Sequence, residues 1–390
     1  MADRVNAEQV VARMSWGRRI VYALISTAVG TVAFVLMAEI ACRLLPVNEG
    51  LRAQAVDADH PVFRFEPGRT AAWSKGWNFS IVNTVRVNND GFVNDHDYNA
   101  DDPRPLLAVV GDSYIEAAMV PFPETAQGRL ATALGDRGRV YSFAASGAGL
   151  SQHLAWAAYA RDRYRPQAFL FLNISNDFSE SLYDREQSPG FHHFERLPDD
   201  SAQLRRVDYE PSRARSMLRH SALAMYLITN VKVQQILDFD VQNLGGNDRR
   251  WVANIDRSAS DREYDDFRWA VRTYLDRLPE ATGLPPRRII IASDALRAAI
   301  YQPADRAELF DSVWGRMRTY MAAEARARGF TVIDLQPSFE EAFAHDGRRF
   351  EFPTDSHWNG HGHEMLARAV MATELFKDTF YPHPVPPVGL

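Results

Sequence analysis

From residue 106 onward, short and largely apolar runs alternate with longer stretches in which apolar side chains recur every three or four positions. The short runs, at 106–110, 140–144, 168–174, 288–292 and 331–335, are bounded by turn residues, as expected of strands covered on both faces. Helices are predicted at 124–134, 150–164, 261–278, 306–328 and 362–376. In the third of these, Tyr264, Phe267, Val271, Tyr274 and Leu278 fall on one helical face. Strands alternating with helices in this way predict an α/β domain, a three-layer α/β/α sandwich built on a five-stranded parallel sheet.

The pattern differs before residue 106. Residues 20–38 carry no charge and are apolar all round, and at ~1.5 Å per residue they cover most of a ~30 Å hydrocarbon core. With Ile40, Ala41 and Leu44 extending it, 20–45 reads as one transmembrane helix. Arg13, Arg18 and Arg19 precede it, so the positive-inside rule assigns 1–19 to the cytoplasm and the rest of the chain to the far side. In a bacterial inner membrane that side is the periplasm or exterior. A cleaved signal peptide would have a shorter apolar region and a small-x-small site after it. A buried soluble helix would show a polar face.

Residues 46–105 predict a small β-rich module, with strand character at 81–87 and a hairpin turn at Asn89-Asp90-Gly91. Its Trp73, Trp77 and Phe79 suit either packing onto the main domain or stacking on sugar rings. A second departure is the insertion at about 178–286, too long for an ordinary connection. It includes an amphipathic stretch at 217–237 and a break at Gly245-Gly246-Asn247-Asp248. A cap over the active site is the leading expectation for it, and contact with a partner or a membrane surface the alternative.

Composition narrows the classes further. With 390 residues and 46% hydrophobic content there is ample material for a core, and a formal net charge of −6 without a basic stripe argues against nucleic acid as a partner. Cys42 is the single cysteine, which excludes an intrachain disulfide and a multi-cysteine metal site. Glu39, three positions before it, fits a lipoprotein cleavage site poorly, so Cys42 reads as a plain thiol at the membrane.

The first strand runs straight into Gly111-Asp112-Ser113, which delivers a serine to the carboxyl edge of the sheet, where open α/β folds bind ligands. A serine hydroxyl becomes nucleophilic when an imidazole takes its proton and a carboxylate orients that imidazole. Asp355-Ser356-His357-Trp358-Asn359 supplies both groups near the C-terminus, provided the loop curls to bring them together. After the second strand, Ser146-Gly147 offers an unobstructed backbone N–H, and after the third, Asn176 offers a side-chain amide. With the N–H of Ser113 these are the donors of an oxyanion hole. Taken singly, such glycines and asparagines are ordinary turn residues, and an Asp and a His can simply cap a helix.

In order along the chain, Gly111-Asp112-Ser113, Ser146-Gly147, Asn176-Asp177 and Asp355-Ser356-His357-Trp358-Asn359 resemble the four blocks of the SGNH/GDSL hydrolase superfamily, over roughly 106–376. The resemblance implies a flavodoxin-like sandwich and ester chemistry with no metal or organic cofactor. It makes Ser113 the nucleophile, His357 the general base, Asp355 its orienting partner, and Ser113, Gly147 and Asn176 the oxyanion hole. Three positions depart from the usual pattern. Ile174 stands where the third block has glycine, Asp355 lies two rather than three residues before His357, and Trp358 replaces a common proline. The Asp-x-His-Trp wording is similar to exopolysaccharide O-acetyltransferases, whose blocks can follow another chain order.

The expectation is therefore a membrane-anchored, extracytoplasmic serine esterase or O-acyltransferase. It would act on acyl groups, foremost acetyl, of a cell-envelope or exported polysaccharide, with a membrane-bound acyl-donor protein as the partner implied by analogy. Two rivals stay open: a lipase or thioesterase acting on longer acyl chains, and an inactive membrane-tethered scaffold or polysaccharide-binding protein.

Overall fold

The computed structural model describes residues 15–233 and 259–381. A helix, Trp16–Leu44, precedes an antiparallel hairpin of β1 (Arg69–Lys75) and β2 (Ile81–Val87). Strands β3 (Leu106–Gly111), β4 (Arg139–Ala144) and β5 (Ala168–Asn173) follow, then a second hairpin, β6 (His192–Arg196) and β7 (Ala202–Arg206). Strands β8 (Ile289–Ser293) and β9 (Thr331–Asp334) come next, and a short hairpin of β10 (Glu351–Phe352) and β11 (Asp355–Trp358) closes the series.

The five predicted runs become one parallel sheet in the order β4-β3-β5-β8-β9. Strands β3, β4, β5 and β8 are buried along their whole length, which is why they carry apolar side chains on both faces. Their side chains alternate between two cores. Ala108, Val110, Phe143, Phe169, Phe171 and Ile291 face the layer formed by helices Leu150–Tyr164, Asp261–Thr282 and Val313–Ala327. Leu107, Val109, Val140, Leu170, Leu172 and Ile290 face the layer of Ala126–Leu134, Gln336–Asp346, Gly360–Ala372 and Glu374–Phe380. The chain steps from β3 out to β4 and then crosses back to β5, so the order reverses at β3. The carboxyl ends of β3 and β5 flank this switch point, the place where open α/β sheets bind ligands.

Three predicted helices are shorter than expected, and a hydroxyl cap explains each boundary. Thr125, Ser312 and Thr373 turn their side-chain oxygens onto the backbone N–H groups of Gly128, Gly315 and Phe376 and so start new helices inside 124–134, 306–328 and 362–376. Helix Asp261–Thr282 opens with a reciprocal capping box between Ser260 and Glu263 and stops at Gly283, whose φ is +68°. It packs against Leu150–Tyr164 and belongs to the sandwich rather than to an insertion reaching residue 286. Helix Gln336–Asp346 and hairpins β6-β7 and β10-β11 carry no prior expectation.

The turn of the first hairpin also differs from the expected one. It lies at 76–80, with Gly76 and Phe79 at positive φ, between β1 and β2. Asn88 and Gly91 do form a tight turn, but the chain beyond it pairs back only as the single bridge Val87 to Val93. Trp73 and Phe79 pack inward, the first beside Ile81, Met119 and Val120 and the second against Tyr226, whereas Trp77 is exposed.

Helix Trp16–Leu44, at 29 residues, is long and apolar enough to cross a membrane, and its apolar side chains are exposed along its length. Its far end is tied to the insertion. Glu39 accepts hydrogen bonds from Ser221 Oγ (2.8 Å), Ala222 N (3.1 Å) and Leu223 N (2.9 Å), and Arg43 donates to the His220 carbonyl (2.9 Å). Cys42 is buried beside Val47 and Met225. The stretch expected as one helix from 217 is broken at His220 into Arg213–Leu218 and the turns from Ala222 to Asn230. Its end, the Gly245–Asp248 break and Arg13 lie outside the described residues.

Candidate active site

Gly111 ends β3 where the chain must turn sharply, because a Cβ there would sit 2.5 Å from Ile115 Cγ1. Asp112 then caps the single helical turn Ser113–Glu116, accepting from the backbone N–H of Tyr114 at 2.9 Å. The turn presents Ser113 at the carboxyl edge of the sheet. Its Oγ lies 2.8 Å from His357 Nε2 and 3.0 Å from Asp112 Oδ2.

His357 comes from β11, a strand rather than the loop expected there. Its Nδ1 is 2.5 Å from Asp355 Oδ1, which also accepts the His357 backbone N–H at 3.0 Å. An aspartate two residues before the histidine thus reaches the ring by using one oxygen for both groups. Burial pushes the Asp355 carboxyl up, but the His357 hydrogen bonds and charge, together with Lys75, outweigh it and hold the group well below the usual carboxylate range. The other oxygen, Oδ2, accepts from Lys75 Nζ at 2.7 Å. The His357 side chain keeps 26% of its surface exposed, so a ligand can reach it.

The spacing between Ser113 and His357 is braced from below. Tyr114 donates to the Ser356 carbonyl (3.1 Å) and accepts from Arg297 Nη2 (2.6 Å). Arg297, 1% exposed, also pairs with Glu351 at 3.0 Å and Asp294 at 3.3 Å. The Trp358 indole donates to Asp294 at 2.9 Å. Trp358 is therefore a fully buried brace for β11, and its place in the sequence block has this structural cause. A buried arginine shared among two carboxylates and a phenol holds such a junction rigid, because removing the arginine would leave two buried carboxylates short of a counter-charge.

The other two blocks end neighbouring strands. Ala144, the last residue of β4, lies opposite Gly111, and Ser146-Gly147 follows it. Glu116 accepts from the Ser146 backbone N–H at 2.8 Å and its hydroxyl at 3.2 Å, which fixes this turn, and Gly147 has φ +83°. Burial raises the Glu116 carboxyl to about 7 against the pull of the Ser146 hydrogen bonds. Asn176 precedes the turn Asp177–Glu180 beyond β5. Its side chain hydrogen-bonds Glu180, and its Oδ1 is buried without a partner. At 174, where the block usually has glycine, the Ile174 N–H donates to Asp177 Oδ2 at 2.8 Å. Burial, then the neighbouring Asp112 and Glu180, push the Asp177 carboxyl well up.

The structure thus brings Ser113, His357 and Asp355 into one hydrogen-bonded chain and sets Gly147 and Asn176 on the strand ends either side of it. Sequence reasoning missed Lys75, Glu116 and Arg297. Only Glu116, three residues after Ser113 on the same turn, carried a usable signal. Among the described residues no cluster of histidine, cysteine, aspartate or glutamate has the arrangement of a metal site.

No protein-family model and no curated protein matches the sequence. Among solved structures, the chain is similar to a member of the lipolytic G-D-S-L family from Veillonella parvula at 11% identity and a TM-score of 0.35, over 69% of this chain and 97% of that one. It is likewise similar to a lipase from a goat rumen metagenome, at 12% identity and a TM-score of 0.37, over 70% and 99%. A two-domain esterase active on acetylated mannans matches at 8% identity and a TM-score of 0.34, over 73% and 53%.

Proposed function

We propose that the protein is a membrane-anchored, extracytoplasmic serine esterase or O-acyltransferase acting on acyl groups, foremost acetyl, of a cell-envelope or exported polysaccharide. The observation that carries this reading is the continuous chain from Ser113 Oγ to His357 Nε2 and from His357 Nδ1 to Asp355 Oδ1, at 2.8 and 2.5 Å, on the carboxyl edge of the sheet. Ser113 Oγ attacks the acyl carbonyl while His357 takes its proton, and Asp355 stabilises the imidazolium that results. The negative charge that develops on the carbonyl oxygen is met by the N–H groups of Ser113 and Gly147 and the Asn176 amide. That amide carries two N–H groups, of which Glu180 takes one.

His357 then returns its proton to the departing alkoxide, leaving an acyl-serine. Water or a sugar hydroxyl attacks that ester through the same base, and the acceptor that wins is the one the site holds in line. In the transfer direction, a membrane-bound acyl-donor protein would load Ser113. The N-terminal helix keeps the site close to a membrane-borne donor or an emerging glycan.

The test uses the full-length chain with a fluorophosphonate probe, then with acetylated and deacetylated envelope glycans plus an acetyl donor. Wild type is expected to label and to remove or add glycan acetyl, and Ser113→Ala to do neither, with a loss of at least about a thousandfold. Absence of labelling in wild type would move the assignment to a non-catalytic scaffold. Preference for long p-nitrophenyl esters over acetate would move it to a lipase or thioesterase.

A further inference from the structure

We propose that Lys75, on the first hairpin and outside the segment that carries the four sequence blocks, is a positioning residue for the Ser113–His357–Asp355 chain. The inference rests on the hydrolase reading above. Its ground is the division of labour at one carboxylate. Asp355 Oδ1 is fully used by His357, accepting from both the ring and the backbone N–H, which leaves Oδ2 to be satisfied in a side chain only 3% exposed. A buried carboxylate oxygen without a donor is costly, and a carboxylate free to rotate about its last bond would exchange its oxygens and loosen the imidazole. Lys75 Nζ, at 2.7 Å from Oδ2, removes both problems.

The lysine is itself held. Ser74, next to it on β1, accepts from Asn230 Nδ2 through its hydroxyl (2.8 Å) and from Asn48 Nδ2 through its carbonyl (3.0 Å). The Gly76 carbonyl takes a further bond from Asn230 at 3.3 Å. From β2, Asn83 Nδ2 donates to the carbonyls of Ala118 and Val120, both at 2.9 Å, on the segment following Ser113. Ser80 Oγ meets Thr354 Oγ1, beside Asp355, at 3.1 Å. Lys75 therefore reaches Asp355 from a hairpin fastened on one side to the foot of the N-terminal helix and the insertion, and on the other to the nucleophile's own loop. The reacting chain becomes complete only when that hairpin is docked.

Charge gives the proposal a signature that packing alone would not. The groups facing His357 are Asp355 on its own strand, Ser113, Asp112, Tyr114 and Glu116 from the turn after β3, and His363 from the next helix. Lys75 adds a cation beyond Asp355. A cation there opposes formation of the imidazolium, directly and by partly neutralising the carboxylate that attracts it. Removing it favours the imidazolium, so the base is lost at a higher pH than in wild type.

The experiment measures the rate at which a fluorophosphonate modifies Ser113 across pH in the full-length chain. For Lys75→Met we expect labelling about tenfold slower at neutral pH and an acidic limb about half a pH unit higher, the scale of one unit charge acting through partly aqueous surroundings. Lys75→Arg keeps the charge and should keep the wild-type limb while recovering most of the rate. Lys75→Gln keeps a donor without the charge; it should show the limb shift with a smaller rate loss, and it serves in place of the methionine variant if that one does not fold. An unmoved limb with a rate within twofold of wild type, in a charge-removing variant that unfolds at the wild-type temperature, overturns the inference. Wild-type protein that does not label overturns the hydrolase reading beneath it instead.

Discussion

The proton of the Ser113 hydroxyl has two acceptors, His357 Nε2 at 2.8 Å and Asp112 Oδ2 at 3.0 Å, and in the proposed mechanism only the first leads to a nucleophile. Asp112 is fully buried and its carboxyl is pushed up by that burial, so it is the weaker claimant for a charge-bearing role and serves as the cap of the turn. Glu116 shows the same physics with a measurable consequence. Its carboxyl is raised from 4.5 to about 7, so the folded chain binds this proton more tightly than the unfolded chain does. The resulting stability is fully present below about pH 4.5 and is lost as pH rises through about 7, an amount on the order of 3 kcal/mol. Glu116→Gln removes that loss. Chemical unfolding at pH 5 and pH 8 should show the variant gaining on wild type with rising pH, while the Ser146-Gly147 turn keeps an acceptor in the variant's amide oxygen.

At the scale of elements, the site depends on two short structures that average composition does not announce: the single helical turn after β3 and the strand β11. The turn exists because Gly111 leaves room for Ile115, and Gly111→Ala forces a Cβ to within 2.5 Å of it. A destabilisation of about 1–3 kcal/mol is expected from such overpacking, read as a lower unfolding temperature, together with a displaced Ser113 and at least a tenfold loss of ester turnover. The buried strands were legible because they are apolar on both faces, and so were the long helices with an apolar stripe. Helix boundaries at Thr125, Ser312 and Thr373 were not, since a hydroxyl inside a continuous apolar pattern becomes a cap only when the chain bends there. The β10-β11 hairpin was unreadable for a related reason. Two- and four-residue strands carry too little periodicity, and this pair is held by the distant Tyr114, Asp294 and Arg297.

For the whole molecule, the proposed orientation places the sandwich outside the cytoplasm. Fusion of alkaline phosphatase to the C-terminus should therefore give an active reporter in cells, and fusion to the N-terminus an inactive one; the reverse pattern would refute the orientation. The docking of Glu39 and Arg43 onto residues 220–223 makes the end of the apolar helix part of the folded body, so the site is held at a set reach from that helix rather than on a loose tether.

Local chemistry was enough to specify the sheet, its two helical layers and a serine at the end of β3, because burial on both faces and a serine at a strand's end are properties of neighbouring residues. It was also enough to pick out an apolar span near the N-terminus. Folding settled what no local spacing fixes: that Asp355 reaches His357 from two positions away on a strand, that Trp358 braces it against Asp294, and that Glu116 fastens the second block. Lys75 belongs to this second group most clearly, since 280 residues separate it from the carboxylate it meets. No periodicity or spacing records such a pair, because a charge in a chain acquires its partner only when two elements are packed side by side and water is expelled between them.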